Sequence, residues 1–337
     1  MSAVYRWVLG LGATFLLSAL VAPWIIRMAA RLKAGQPILR YVSEHSAKQG
    51  TPTMGGWIFI LPAAAMTLLL GQGLGLARVA AITMLAYAVI GFLDDFLKIK
   101  RHDNGGLRPY QKIISQLGIA SVLVWYVWRS HLLGGWVYVP FYRAVDIGYW
   151  VLPLVALVFV AGTNAVNLTD GLDGLAASTS IVYMGGAAVM VALLAHSGDA
   201  EMAAALGDLN VFCACMMGGL AAYLVCNASP ARVFMGDTGS MALGGAVCCI
   251  SVFSRTSLYL PILGIMYVVS CITVIVQVGY FKLTGGKRIF LMAPLHHHLQ
   301  RKGYSESRVC ALYAALTLLA AAICVAGVYT GWYGLEQ

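Results

Sequence analysis

Long apolar runs separated by short polar segments fill this 337-residue chain. A membrane-spanning helix needs roughly 20 mostly apolar residues, and ten runs approach that length. They cover residues 4–26, 54–71, 75–97, 112–130, 148–166, 175–195, 205–226, 239–254, 257–281 and 308–331. The pattern predicts an all-α integral membrane protein with ten transmembrane helices. Between runs, weak aromatic alternation over 133–147 suggests a short hairpin, and Pro261 and Gly264 suggest a kinked ninth helix.

The composition supports this class of protein. Hydrophobic residues make up 60% of the chain and charged residues only 10%, with a mean hydropathy of +0.81. Soluble domains carry about 25% charged residues, and outer-membrane strands are only about ten residues long. Neither an internal repeat nor a long linker interrupts the pattern. We therefore expect residues 1–337 to form a single polytopic membrane domain.

The basic residues predict the orientation of the chain in the membrane. Loops rich in lysine and arginine face the cytoplasm, and one set of loops contains most of the 22 basic residues. Both termini are therefore expected outside. Cations on the cytoplasmic face attract anionic headgroups and substrates, although topology alone also accounts for them. The five basic residues on the opposite face are Arg6, Arg78, Arg129, Arg143 and Arg255.

Four polar clusters fall on the predicted cytoplasmic side. Ionisable groups that border membrane spans suggest function, and carboxylates together with histidines suggest a metal and phosphate site. The chain is therefore expected to be an enzyme with its active-site cleft on the cytoplasmic side. The clusters are Asp94-Asp95, residues 167–174, residues 236–240 and His296-His297-His298.

The acidic clusters each allow a structural and a functional interpretation. Asp94 and Asp95 end a predicted helix and can pair with Lys98, or they can bind Mg²⁺ or accept a proton. Asp237 or Thr238 can cap the eighth helix. Alternatively, a helix N-terminus with flanking glycines binds phosphate, and an acid beside it holds Mg²⁺.

The remaining clusters suggest substrate contacts. Asn167, Asp170 and Asp173 recur at every third position, as in an Asx-rich turn or a pocket for a nucleobase or ribose. Three consecutive histidines on a helix point about 100° apart, so contacts to phosphate or sugar, or proton transfer, fit them better than one shared metal. The chain has no P-loop and no H-E-x-x-H motif.

Four strings in this order resemble a known family. They are Gly-Phe-Leu-Asp-Asp at 91–95, Asn-Ala-Val-Asn-Leu-Thr-Asp-Gly-Leu-Asp-Gly at 164–174, Val-Phe-Met-Gly-Asp-Thr-Gly-Ser at 233–240 and Met-Ala-Pro-Leu-His-His-His at 292–298. The chain resembles the phospho-N-acetylmuramoyl-pentapeptide transferases, of the polyprenyl-phosphate N-acetylhexosamine-1-phosphate transferase superfamily. The triple histidine points to this branch rather than to enzymes that use UDP-N-acetylglucosamine.

The resemblance implies a reaction and a set of partners. UDP-N-acetylmuramoyl-pentapeptide would donate its phospho-sugar to undecaprenyl phosphate, which gives lipid I and UMP, with Mg²⁺ as cofactor. It also implies a homodimer in the bacterial inner membrane that is a target of nucleoside antibiotics and binds no nucleic acid. Alternatives are an N-acetylglucosamine-1-phosphate transferase and, remotely, an ion-coupled transporter, whose sites would lie near the bilayer midplane.

The resemblance also implies roles for individual residues. Asp237 would bind the magnesium ion, and Asp94, Asp95, Asp237 and His296 would be catalytic. Lys112 is a candidate phosphate contact. Direct attack by the lipid phosphate is favoured over a phospho-sugar intermediate on Asp94. The implied substrate-binding residues are Lys48, Thr53, Asn167, Asp170, Gly171, Leu172, Asp173, Asn227, Phe234, Gln277 and His297.

Overall fold

The computed structural model describes residues 2–32, 50–72, 75–101, 105–196 and 199–333, which are mostly α-helical. The elements are α1 (Ala3–Arg31), α2 (Trp57–Leu70), α3 (Leu76–Arg101), α4 (Pro109–Arg129), β1 (Trp136–Tyr138), β2 (Ala144–Asp146), α5 (Val151–Thr169), α6 (Leu175–Ala195), α7 (Ala200–Asn227), α8 (Gly236–Phe253), α9 (Leu260–Leu263), α10 (Ile265–Leu283), α11 (Leu295–Arg301) and α12 (Glu306–Tyr333).

A helix overlaps each of the ten predicted spans. Eight helices in the described ranges are long and apolar enough to cross a membrane: α1, α3, α5, α6, α7, α8, α10 and α12. Helix α2 is apolar but has only 14 residues, and α4 carries Gln111, Lys112 and Gln116 among its apolar residues. The prediction of a helical, multi-pass membrane protein is confirmed.

Two finer predictions also agree with the structure. Strands β1 and β2 form an antiparallel hairpin in which Trp136 lies opposite Asp146. The ninth predicted span is broken: α9 ends at Leu263, α10 begins at Ile265, and Gly264 separates them. Proline and glycine near the start of that run account for the break.

Helix α8 forms the centre of the fold. Nearly all of its residues are buried, and it packs chiefly against α3 and α5. Small residues allow this close packing: a Cβ atom on Gly91 of α3 would overlap the backbone of Asp237, and one on Gly244 would crowd the backbone of Thr163 on α5. The first turn of α8 therefore lies directly against the last turns of α3.

At the other end of the bundle, a buried ion pair joins α1 to α7. The guanidinium of Arg6 bonds to the carboxylate of Asp208, and both side chains are almost fully buried. Asp208 also accepts a hydrogen bond from the backbone nitrogen of Gln72 at 2.8 Å, just after α2. The charge pattern assigns Arg6 to the outer face as a residue that sets topology, but in the structure its ion pair with Asp208 joins α1, α7 and the end of α2.

Candidate active site

Three aspartates meet where α3 ends and α8 begins. Asp94 and Asp95 come from α3 and Asp237 from the first turn of α8. One oxygen from each carboxylate lies within 4.8 Å of the others. Asp94 and Asp95 are buried and Asp237 is half-buried. Like charges this close repel, so the site requires cations or hydrogen-bond donors.

Two lysines supply that compensation. The Lys98 Nζ lies 2.6 Å from Asp94 Oδ2 and 2.8 Å from Asp237 Oδ2. The Lys112 Nζ lies 2.6 Å from Asp237 Oδ2 and 3.4 Å from Asp94 Oδ1. The predicted pairing of Lys98 with its own helix is confirmed for Asp94. Two ammonium groups therefore bridge the carboxylates that the sequence suggested for metal binding and proton transfer.

Asp95 differs in role from its neighbour. Its Oδ1 accepts a hydrogen bond from the backbone nitrogen of Asp237 at 3.1 Å. Its Oδ2 accepts two from Thr238, at 2.9 Å from the backbone nitrogen and 2.7 Å from the hydroxyl. A carboxylate is favourable at the positive end of a helix dipole. The alternative in which Asp237 or Thr238 caps α8 is wrong, because Asp95 provides the cap from α3.

Asn167, in the last turn of α5, completes the surroundings of Asp237. Its Nδ2 donates to Asp237 Oδ1 at 2.7 Å and lies 2.7 Å from the hydroxyl of Ser240. The Oδ1 atom of Asp237 therefore accepts a hydrogen bond from the Asn167 amide, while Oδ2 contacts the ammonium groups of both lysines. Donors from α3, α4 and α5 thus converge on one carboxylate of α8.

The segment after α5 places another acid close to this cluster. Burial raises the pKa of Asp170 to about 8, and the charges of Asp237, Asp95 and Asp173 act in the same direction. A pKa raised in this way favours the protonated carboxyl group, which can donate a hydrogen bond. Asp170 is thus chemically distinct from Asp237, although both were predicted site residues.

Two predicted substrate-binding residues hold the loop that follows Asp170. The Oδ2 atom of Asp173 accepts a hydrogen bond from the backbone nitrogen of Ala231 at 3.0 Å. Asn227 accepts from Gly174 at 3.0 Å and donates to the carbonyl of Val233 at 2.9 Å. These contacts fasten the 170–174 loop to the segment before α8. Gly171 and Leu172 lie on the same loop.

A third segment completes the approach to α8. The backbone nitrogen of Phe234 donates to Pro52 at 2.8 Å, and Gly55 donates to the carbonyl of Phe234 at 2.8 Å. Thr53 is buried between these contacts, against Gly236. A positive φ of 71° at Gly236 allows the sharp entry into α8. Lys48, predicted for the same segment, lies outside the described residues.

The histidine triplet divides into different environments. His296 is fully buried and lies so close to Gly171 that a Cβ atom there would overlap its ring. Burial, reinforced by His297, holds the pKa of His296 well below its usual range, so the ring is neutral. His297 and His298 are half-buried. The structure therefore brings His296 beneath the 170–174 loop.

Comparison with known proteins decides the family. Residues 77–255 match the family described as glycosyl transferase family 4. The chain is 39% identical to the phospho-N-acetylmuramoyl-pentapeptide-transferase of Clostridium perfringens (strain 13) over 315 residues, 93% of this chain and 95% of the relative. It is 41% identical to the transferase of that name from Desulfitobacterium hafniense over 334 residues, 97% and 99% of the two chains. The chain belongs to the phospho-N-acetylmuramoyl-pentapeptide-transferases of glycosyl transferase family 4.

Membership of these transferases confirms the resemblance found in the four strings. A further relative of the same name, from Clostridium kluyveri, is 38% identical over 327 residues. The matched family region contains Asp94, Asp95, Asn167 and Asp237, the residues that meet in the structure. The protein is therefore a multi-pass membrane enzyme of the phospho-sugar transferase class.

The transferase has a large cavity beside α11. Its volume is about 900 Å³. Gln277 forms part of the wall, but its amide also bonds to the backbone of Ile289 at 3.1 Å and of Phe290 at 3.0 Å. The predicted residue Gln277 thus shapes the 285–294 segment. Apolar side chains of α10 face the cavity, and its cations are Lys282, Arg288 and Arg301.

Sequence reasoning gave no site role to two groups of the transferase. Ser240 belongs to one of the four strings but had no predicted role, yet its hydroxyl accepts a hydrogen bond from Asn167 Nδ2 at 2.7 Å. Lys98 was assigned only an ion pair, yet it touches Asp237 as well. Its position four residues after Asp94 gave a signal for the first contact but none for the second, which depends on how α3 packs against α8.

Proposed function

We propose that this transferase moves phospho-N-acetylmuramoyl-pentapeptide from UDP-N-acetylmuramoyl-pentapeptide to undecaprenyl phosphate, giving lipid I and UMP. The relatives named for this transfer match more than nine tenths of the chain. One structural observation supports the proposal most directly. Lys98, Lys112 and Asn167 all contact Asp237 in the first turn of α8. Cations beside a carboxylate suit a reaction between two phosphates.

The arrangement in the membrane follows from the proposed reaction. We propose ten spans, with both termini outside and the cleft on the cytoplasmic side of the bacterial inner membrane. The lipid acceptor stays in the membrane, while the nucleotide sugar arrives from the cytoplasm. The uneven distribution of basic residues supports this orientation. A homodimer is proposed from the family alone.

Asp237 and Asp94 are the proposed magnesium ligands. Their oxygens already attract two ammonium groups at 2.6 to 3.4 Å, and Mg²⁺ prefers carboxylate oxygens. Asp95 is a poorer ligand because its oxygens accept backbone hydrogen bonds that are fixed in the first turn of α8, whereas the ammonium groups beside Asp237 and Asp94 Oδ2 belong to side chains that a metal ion can displace. When bound, Mg²⁺ would offset the charge of the diphosphate and of the leaving UMP.

The chain's own residues then have separate tasks. Lys98 and Lys112 would turn from the carboxylates toward the donor phosphates. Each ammonium group would then exchange a carboxylate partner for a phosphate. The 170–174 loop, with Phe234 nearby, would hold the uridine, and the protonated carboxyl of Asp170 would donate to it. His296 supports that loop from beneath as a neutral ring. The surroundings thus fit the implied donor pocket.

The proposed transfer is a direct displacement. An oxygen of the lipid phosphate attacks the phosphorus attached to the sugar, and the bond from that phosphorus to the UMP phosphate breaks. Asp94 lies close enough to Asp237 and the lysines to accept a proton if the lipid phosphate carries one. A covalent intermediate on Asp94 would instead release a burst of UMP from enzyme and donor without lipid.

The acceptor phosphate is proposed to approach through the same cavity beside α11, whose wall includes side chains of α10. Exposed side chains of this helix, such as Val278 and Phe281, also face the cavity, which suits a lipid chain. Replacing Arg288 by glutamine is expected to raise the KM for undecaprenyl phosphate about fivefold, because a direct exposed ion pair between its guanidinium and the phosphate contributes up to about 1 kcal/mol. Lys287→Gln is the matched control, because Lys287 is exposed but does not line the cavity. An equal rise with both variants, or a rise for the nucleotide donor alone, would contradict this path.

The direct test of function is UMP release by detergent-purified protein. UDP-N-acetylmuramoyl-pentapeptide and undecaprenyl phosphate are supplied together and singly, with Mg²⁺ and with a chelator. Release that requires both substrates and the metal supports the proposal. Release with UDP-N-acetylglucosamine as the only effective donor would move the protein to the sister branch, and silence with both donors would reject phospho-sugar transfer.

A further inference from the structure

A pair of side-chain amides joins α4 to α5 one helical turn away from the acidic cluster. Asn164 Nδ2 donates to Gln116 Oε1 at 2.7 Å, and Gln116 Nε2 donates back to Asn164 Oδ1 at 3.3 Å. Gln116 is fully buried and Asn164 half-buried. Asn164 Nδ2 also donates to the carbonyl of Val160 at 2.7 Å. Neither Gln116 nor Asn164 belongs to the candidate active site described above.

The pair repeats the geometry of the site one turn deeper in the membrane. Residues three or four apart share a helix face, so Gln116 lies below Lys112 on α4 and Asn164 below Asn167 on α5. On α8, Met241 lies four residues after Asp237, and its sulfur is 3.9 Å from Gln116 Nε2. The same three helices therefore meet in two adjacent layers, and only the upper layer contains the reactive carboxylate.

The burial of α4 shows why the lower layer matters. Among the α4 residues before Gln116, Lys112 is half-buried and all the others are exposed. After Gln116, the next buried residue is Ala120, one turn further on. The half of α4 that carries Lys112 is thus held to the bundle by Gln116, by the ion pairs of Lys112 itself and, just before the helix, by the Leu107 backbone nitrogen, which donates to Asp94 Oδ1 at 2.8 Å.

We propose that Gln116 and Asn164 are positioning residues that set the spacing of α4 and α5 around Asp237. Lys112 Nζ reaches Asp237 Oδ2 at 2.6 Å, and Asn167 Nδ2 reaches Oδ1 at 2.7 Å. These two contacts come from different helices to opposite oxygens of one group, so a change in helix spacing alters both. Gln116 is fully buried, and a buried polar group that loses its partner is costly, which makes the pair an effective spacer.

The test replaces the amide while keeping the size of the side chain. This inference rests on the proposed transfer reaction, so wild-type UMP release is measured beside each variant. Gln116→Leu is expected to lower kcat at least tenfold, because a misplacement of about 1 Å at a site can cost a hundredfold, while KM for the donor changes less. Affinity for Mn²⁺, followed by electron paramagnetic resonance without substrates, is expected to fall at least threefold.

Rescue separates positioning from simple loss of a contact. The double variant Gln116→Asn with Asn164→Gln exchanges the two amides and is expected to keep kcat and Mn²⁺ affinity within about threefold of wild type, in contrast to Gln116→Leu. Ser121→Ala is the matched control on α4, because the exposed Ser121 bonds, within the described part of the chain, to the carbonyl of Leu117 on its own helix. If Gln116→Leu does not fold, Gln116→Met provides a milder change of similar length.

Two results would overturn the inference while leaving the transferase function intact. In the first, wild type is active and the amide variants keep kcat and Mn²⁺ affinity within twofold. In the second, the thermal midpoint and the folded fraction fall, but kcat per folded molecule and Mn²⁺ affinity do not. An inactive wild type would instead reject the proposed reaction itself.

Discussion

Replacing Asp237 by alanine is expected to lower UMP release by about 10²- to 10³-fold or more. Mutational losses of that size follow when one electrostatic contact to the reacting charge is removed. Asp237 accepts a hydrogen bond from Asn167, forms ion pairs with Lys98 and Lys112, and is the proposed magnesium ligand. Its loss therefore removes the metal ligand and leaves three donor side chains without this partner. The measurement is the initial rate of UMP release at saturating donor and lipid.

The control for this prediction is another acid on the same protein. Glu201→Gln changes an exposed carboxylate that pairs only weakly with the exposed His131, and it should leave the rate within twofold. Asp237→Asn keeps the shape of the side chain and should still lose most of the activity, because an amide is a poor magnesium ligand beside two lysines. Near-normal rates with either Asp237 variant, from folded protein, would remove this residue from the centre of the mechanism.

A comparison of the adjacent aspartates shows what the sequence allowed and what it did not. Asp94 and Asp95 form one string, and the resemblance gave both a catalytic role. Neighbouring residues on a helix point about 100° apart, so the two carboxylates of the cluster meet different partners: Asp94 contacts Lys98 and Lys112. The structure turns Asp95 toward the first turn of α8. That choice depends on how α3 and α8 pack, which no local pattern contains.

The membrane-spanning helices were predictable because their signal is local in the sequence. Long apolar runs determine helices locally, because a backbone in a bilayer must satisfy its own hydrogen bonds. The hairpin and the break at Gly264 also had local signals. Contacts across the fold had none: the amide pair of Gln116 and Asn164 joins positions 48 residues apart, and each residue alone is an ordinary polar position in an apolar run. The family strings located the site, but not the partners of each group.

Arg6 is the clearest case of a residue whose role depends on a distant partner. The positive-inside rule treated it as an outer-face charge, yet it is buried against Asp208, 202 residues away in the chain. Replacing one partner of a buried ion pair leaves the other charge unpaired, which costs about 3–5 kcal/mol. Arg6→Met is therefore expected to lower the free energy of unfolding by about that amount, measured by denaturant titration in detergent.

The matched control removes both charges and keeps the remaining hydrogen bond. In the double variant Arg6→Met with Asp208→Asn, an amide oxygen can still accept the hydrogen bond that Gln72 donates to Asp208 at 2.8 Å, so most of the stability should return. Asp208 lies 19 residues before the end of α7 at Asn227, about 28 Å along a helix. UMP release per folded molecule should therefore remain close to wild type in every one of these variants. A fall in that specific rate, with stability unchanged, would mean that the ion pair acts on the chemistry and not on the assembly of α1, α2 and α7.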